Sequence, residues 1–183
     1  LIKSLKFIIY IFIAVSLIIG GKFLILNMYP LNYFDIVKEN CDKYDIDPLL
    51  VMSIIRAESG FNENAVSTKK AKGLMQLTDE TAIWCSEEMK LNNFKTEFLF
   101  NPETNIIMGT HYCDYLLEHF GNTKVALAAY NAGMGNVQKW LKSDKYTKDG
   151  ITLDEIPFPE TKKYVNKIMN NYKIYKLLYG GKR

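Results

Sequence analysis

From Tyr33 onward the apolar positions recur at the helical step of three and four, and Phe34, Val37, Cys41 and Tyr44 make the first such stripe. Asp47-Pro48 joins a good N-cap residue to a proline suited to the first helical position, so a new helix starts there. Its body, Leu49 to Ile55, is nearly all apolar, which predicts a helix buried on most sides, and Gly60 can end it. Thr78 is placed to cap a helix through Ile83, Trp84 and Met89. Asn101-Pro102 repeats the cap-then-proline signature before a stripe of Ile106, Cys113, Leu116, Leu117 and Phe120, and Gly121 stops that helix. A short Ala-rich helix, Thr123 to Tyr130, is separated by Gly133 and Gly135 from another at Val137 to Leu141. After a polar loop from Lys142 to Asp154, the last helix begins near Pro159 and carries Val165, Ile168, Met169 and Tyr172. No stretch of useful length alternates as a strand does; Ile151-Thr152-Leu153 is at most a short extended piece. The pattern predicts a compact, all-α domain over about residues 32–179.

The first thirty residues differ in kind. Lys3 and Lys6 precede an uncharged run from Phe7 to Gly21; Lys22 interrupts it and Phe23 to Leu26 resumes it. A spanning helix needs about 20 mostly apolar residues, and Phe7 to Leu26 meets that length with one charge near its end, where a lysine can snorkel to the headgroups. The leading lysines belong on the cytoplasmic side, which puts the rest of the chain outside. A cleaved signal peptide is the rival reading, but the small residues Ala14 and Ser16 lie in mid-run, and Gly20 and Gly21 are adjacent rather than spaced by one. We therefore expect a single-pass membrane anchor over residues 1–30 and an extracytoplasmic domain over 31–183.

Composition narrows the function classes. The chain has 183 residues, 48% apolar and 23% charged, which excludes a largely disordered chain and leaves room for one ordinary domain. Lys22 and the two leading lysines carry the whole excess of positive charge, and the remainder holds 20 basic and 20 acidic residues. A strongly basic nucleic-acid surface is therefore not expected. Three cysteines are too few for a disulfide scaffold. His111 and Cys113 are two apart on one helix and face different sides, which does not suit zinc.

Glu58 carries the most chemistry. It stands at the C-terminal end of the buried helix, where the helix dipole and an apolar setting both disfavour a carboxylate. Both raise its pKa, as a general acid requires. An exposed Glu in a last helical turn would do nothing of the kind, so the reading depends on context.

That context is four segments in order: Glu58-Ser59-Gly60-Phe61 with Asn64 to Ser67; Ala71-Lys72-Gly73-Leu74-Met75-Gln76-Leu77; Ala128-Ala129-Tyr130-Asn131-Ala132-Gly133; and Pro159-Glu160-Thr161-Lys162-Lys163-Tyr164-Val165. Together they resemble the soluble-lytic-transglycosylase (SLT) family of bacterial cell-wall enzymes over roughly residues 35–178. The resemblance implies a lysozyme-like helical fold with a groove for a glycan strand. It implies cleavage of the β-1,4 bond between N-acetylmuramic acid and N-acetylglucosamine to a 1,6-anhydro end, with Glu58 as acid and then base. It implies no metal and no cofactor. Ser67 matches the hydroxyl that contacts the N-acetyl group, although a turn serine would look the same. Gln76 matches a groove-lining amide. Met75 is either a soft contact to a sugar face or core packing. Tyr130 and Asn131 match the Ala-Tyr-Asn segment, the ring to stack on a pyranose and the amide to bind a hydroxyl or fix the loop. Tyr164 matches the late tyrosine that orients the catalytic carboxyl, or else is a buried helix aromatic. Lys70 departs from the pattern, because the family usually has a small residue there, often Gly.

Two rivals stand beside this reading: a true hydrolase of the goose-lysozyme kind, and a glycan-binding module of a wall-spanning machine. The expected partners are a peptidoglycan strand and, through the N-terminal helix, the membrane. The domain is expected to be monomeric.

Overall fold

The structure, a computed structural model, describes residues 2–181; the side chains of residues 2–11, 13 and 14 lie outside the described set. Two compact units divide the chain, Leu1–Asn32 and Tyr33–Arg183.

The first unit is one helix, α1 (Ile2–Met28). The expected membrane span, Phe7 to Leu26, falls within it, but the side chains of residues 7–11, 13 and 14 are outside the described set. Among the described residues no helix is long and apolar enough to cross a membrane. Phe12, Leu17, Ile18, Ile19, Phe23 and Leu24 are all well exposed on α1.

The second unit is helical: α2 (Phe34–Asp42), α3 (Pro48–Glu58), α4 (Asp79–Glu88), α5 (Pro102–Phe120), α6 (Thr123–Ala132), α7 (Met134–Trp140) and α8 (Pro159–Tyr179), with a 3-10 helix at Thr96–Phe100. The starts follow the capping chemistry of the sequence. Asp47, Thr78 and Asn101 each accept a backbone N–H from the first turn of the helix they precede, and Pro48 and Pro102 open theirs. Asn122 caps α6 in the same way, accepting from the N–H groups of Lys124 and Val125. Gly60 and Gly121 take positive φ after α3 and α5, as a helix stop requires. Ile151 and Thr152 form bends, and among the described residues there are isolated β-bridges only, Val66 with Lys72 and Lys72 with Leu77.

The apolar run of α3 makes it the central element. Leu49 through Ile55 are all buried, and the one hydroxyl among them, Ser53, donates to the Leu49 carbonyl at 2.6 Å, so no polar group there is left unpaired. α3 packs along α8 and against α2; α5 packs against α2, α4 and α6, and α6 against α8. This leaves the C-terminal end of α3 directed into the junction where α8 and the 59–77 loop meet.

Candidate active site

The last residue of α3 is Glu58. Tyr164, on the first turns of α8, donates its hydroxyl to Glu58 Oε1 at 2.6 Å. Burial of the carboxyl raises its pKa from the ordinary 4.5 to about 7, against the opposing effects of the Tyr164 hydrogen bond and the Lys167 charge. The shift favours retention of the proton near neutral pH. Burial raises the Tyr164 and Tyr130 phenols well above their ordinary range, so both remain neutral donors.

Ser59 shapes the exit from the helix. Its hydroxyl donates to the Ile55 carbonyl at 3.2 Å and accepts the Phe61 N–H at 3.1 Å. Beyond it the loop folds twice on itself. Ser67 and Lys72 form the ladder contacts Ser67 N–H to Ala71 O and Lys72 N–H to Leu77 O, and the Gly73 N–H reaches the Ala65 carbonyl at 2.9 Å. Ser67 sits in the first fold, where its Oγ accepts the Ala71 N–H at 3.0 Å. The turn explanation of Ser67 is thus realised, yet its own O–H remains to be donated.

Gln76 adopts φ +49, an uncommon conformation for a residue with a side chain. Its Nε2 donates to the carbonyls of Ala65 (3.0 Å) and Gly73 (2.8 Å). Both amide hydrogens are used within the loop, so toward a ligand Gln76 presents an acceptor oxygen only. Met75 is fully buried. Of the two expectations for Met75 the packing is the one seen: the thioether lies over Gly109 in the core. The Met75 carbonyl accepts the Tyr130 hydroxyl at 2.8 Å. The Tyr130 phenol is accordingly tied down, with its ring against Tyr112 at 5.3 Å between centroids. Asn131 Oδ1 accepts the Thr161 hydroxyl at 2.7 Å, tying α6 to the first turn of α8. Glu58 and Tyr164 thus join α3 to α8, Asn131 joins α6 to α8, and Tyr130 joins α6 to the loop that carries Gln76 and Ser67.

A family model, Transglycosylase SLT domain, matches residues 35–152. The chain belongs to the transglycosylase SLT family.

The SLT domain is 34% identical over 157 residues to the soluble lytic murein transglycosylase of Escherichia coli K12, covering 84% of this chain and 24% of that protein. It is 32% identical over 167 residues to membrane-bound lytic murein transglycosylase C of Edwardsiella ictaluri, covering 79% of this chain and 46% of that protein. The crystal structure of the 70 kDa soluble lytic transglycosylase of Escherichia coli superposes with a TM-score of 0.76 at 32% identity, covering 88% of this chain and 27% of that one. The all-helical, lysozyme-like SLT fold is therefore present here, in a chain that spans about a quarter of the Escherichia coli relative and under half of the other.

Two residues of α5 that the motifs do not include also shape the site. Asn105, fully buried on α5, accepts the Met75 N–H at 2.7 Å and donates to the carbonyls of Lys72 (3.0 Å) and Leu99 (2.8 Å). It nails the Lys72–Met75 segment to α5 and to the 3-10 helix. Its only sequence signal was a polar residue on an otherwise apolar helix face. Gly109, one turn further along α5, leaves the space that Met75 fills. Of the basic residues in the loop, Lys72 is held by Asp79 at 2.7 Å, and Lys69 approaches Glu160 at 3.8 Å with both side chains exposed. The three cysteines are buried free thiols, and burial pushes each up to about 12, which suits core packing and not nucleophilic work.

Lys70 has φ +61 at the end of the Ser67–Lys70 turn, its N–H bonded to the Ser67 carbonyl. That conformation is free for Gly and costs a side-chain-bearing residue about 1–2 kcal/mol, which accounts for the small residue usual in the family. Lys70→Gly should raise stability by about 0.5–1 kcal/mol after the greater flexibility of glycine in the unfolded chain is counted. Urea denaturation measures this; a lower midpoint would mean that the lysine side chain makes contacts worth more than the strain.

Proposed function

We propose that the SLT domain is a peptidoglycan lytic transglycosylase, cleaving the β-1,4 bond between N-acetylmuramic acid and N-acetylglucosamine without adding water. The observation that carries this reading is one half-buried carboxyl, Glu58, aligned by the Tyr164 hydroxyl at 2.6 Å and held by desolvation well above the ordinary carboxylate range. The names of the relatives support the substrate class.

The chemistry needs one acid. Glu58 gives its proton to the leaving glycosidic oxygen as the bond from the anomeric carbon breaks. The positive charge that develops there is shared by the sugar's own N-acetyl group, which replaces the second carboxylate of ordinary glycosidases. The 6-hydroxyl oxygen of the same sugar then bonds to the anomeric carbon, and its proton passes to Glu58, restoring the acid. Attack within one sugar ring has a high effective concentration, so no activated water is needed. Tyr164 holds the carboxyl rotamer, and its neutral hydroxyl steadies the ionised form between the two steps.

The remaining residues take roles consistent with their hydrogen bonds. Ser67, with its O–H free to donate, suits the N-acetyl carbonyl. Gln76 suits a sugar hydroxyl or amide N–H, because its oxygen is the part still available. Tyr130 and Asn131 act mainly through the loop and helix they fix, with the Tyr130 ring as wall. In the same proposal α1 anchors the domain to the cell membrane, which the long uncharged run supports and which one relative's membrane-bound name parallels. The domain then works outside the cytoplasm as a monomer.

Digestion of purified peptidoglycan followed by mass spectrometry tests the reaction. The expected soluble products carry anhydro-muramic ends, each lighter by one water than the hydrolytic counterpart. Reducing ends would assign a lysozyme-like hydrolase, and binding without release would assign a glycan-binding module.

A further inference from the structure

Three positions on one face of α8 grip the last turn of α3 residue by residue. Tyr164 donates to the Glu58 carboxyl at 2.6 Å, Lys167 Nζ to the Ala57 carbonyl at 2.7 Å, and Asn171 Oδ1 accepts from Arg56 Nη1 at 3.0 Å. Steps of three and four along a helix put these side chains in one row. The last carbonyls of any helix lack intrahelical partners and carry partial negative charge, and a lysine there answers both. The Ile55 carbonyl accepts the Ser59 N–H, and Lys167 supplies a donor to the Ala57 carbonyl further toward the helix end.

We infer that Lys167 is a positioning residue for the catalytic glutamate: it holds the final turn of α3 in place from α8 and sets a positive charge beside the Glu58 carboxyl. The inference depends on the function proposed above only for calling Glu58 catalytic. Lys167 touches no reacting atom, and its work is done through Glu58.

The other groups that bear on Glu58 are accounted for. From α8 come Tyr164 and Lys167; from α6, the neutral phenol of Tyr130; and α3 itself contributes Arg56, whose guanidinium is bonded to Asn171. The adjoining loop offers the uncharged Gln76, and its charged residues are Glu63, which accepts the Tyr33 hydroxyl, Lys69 near Glu160, Lys72 at Asp79 and the exposed Lys70. Burial drives the carboxyl toward its neutral form, and the Tyr164 hydrogen bond and the Lys167 charge oppose it. Removing the lysine charge must therefore make Glu58 a weaker acid. Because Lys167 is exposed on α8, its substitution leaves the core untouched.

The test uses the full chain with Lys167→Gln and Lys167→Arg. Glu58 is titrated by difference infrared spectroscopy of the carboxyl band, with Glu58→Gln as the blank, and the pH dependence of kcat/KM is measured alongside. In Lys167→Gln the Glu58 titration and the alkaline limb should both move up by about half a pH unit at low ionic strength. Concentrated salt should shrink the difference, since the charge acts from an exposed position. Lys167→Arg should restore the original titration. A Lys167→Gln titration that overlays the wild type at low salt would overturn the inference. If the infrared titration moves while the activity limb does not, Lys167 still sets the acidity of Glu58 and it is the catalytic assignment of Glu58 that fails.

Discussion

Glu58→Gln should release essentially no soluble fragments from peptidoglycan, a loss of roughly 10³-fold or more, and yet melt at a higher temperature than the wild type at neutral pH. The two outcomes have one cause. The Gln side chain keeps an oxygen to accept the Tyr164 hydroxyl at the place where Oε1 now sits, so the site retains its shape and its glycan affinity, but no proton can be given to a leaving oxygen. The stability gain follows from linkage. In the unfolded chain Glu58 ionises near its ordinary 4.5, whereas in the fold it ionises near 7. Between these values the unfolded state holds fewer protons than the folded one, so stability falls as pH rises through that window. The full cost, reached above pH 7, is on the order of 3 kcal/mol. Gln carries no such cost. The variant's melting temperature should therefore exceed the wild type's by roughly 5–10 °C at pH 8, and the two should converge toward pH 4. Calorimetry across that range, with turbidity clearance of peptidoglycan suspensions for activity, measures both. Undiminished clearance would defeat the assignment of Glu58 as the acid, and a constant melting difference at all pH values would show that its ionisation is not what burial opposes.

Gly73→Ala should disable the site without touching any group that meets substrate. A Cβ at this position would lie 2.2 Å from both Asn105 Nδ2 and the Leu99 carbonyl oxygen, and the backbone there has φ +76. The backbone conformation alone costs about 1–2 kcal/mol with a side chain, and the overlap adds about 1–3 kcal/mol of overpacking. Leu99 O belongs to backbone and cannot swing aside. Asn105 can yield only by giving up bonds to Lys72, Leu99 and Met75 that are made in a fully buried position. The Lys72–Gln76 segment must therefore lift off α5, carrying Gln76 and the Met75 carbonyl that secures Tyr130. Displacements near 1 Å at such distance from the chemistry cost on the order of 10²-fold in rate. The expected result is a folded protein destabilised by about 2–5 kcal/mol, with kcat reduced far more than glycan binding. Denaturant unfolding and initial rates check this, and wild-type kcat would show that the position of this segment does not matter to the reaction.

Much of this fold was readable along the chain because its signals are local. Helix starts at Asp47, Thr78 and Asn101 and stops at Gly60 and Gly121 depend on hydrogen bonds within a few residues and on backbone angles that few residues tolerate. The burial of α3 follows from an unbroken apolar run, and the importance of Glu58 from a carboxyl placed at the end of it. The 3-10 helix at Thr96–Phe100 gave no periodic signal, being too short to repeat one. Met75 could be assigned either to a ligand or to the core from its neighbours in sequence. The space over Gly109, 34 positions away, decided for the core.

The sequence by itself determined an all-helical domain, the order of its elements, and a lone acidic residue at the end of its most apolar helix, since each of these is a property of consecutive residues. Only the tertiary structure decided how acidic that residue is and what holds it. Burial by packed neighbours, the Tyr164 hydroxyl 106 positions away and the Lys167 ammonium 110 positions from the carbonyl it binds are brought together by folding. The physical reason is that ionisation responds to distance in space and to the local dielectric, and neither is written in the spacing of residues along a chain.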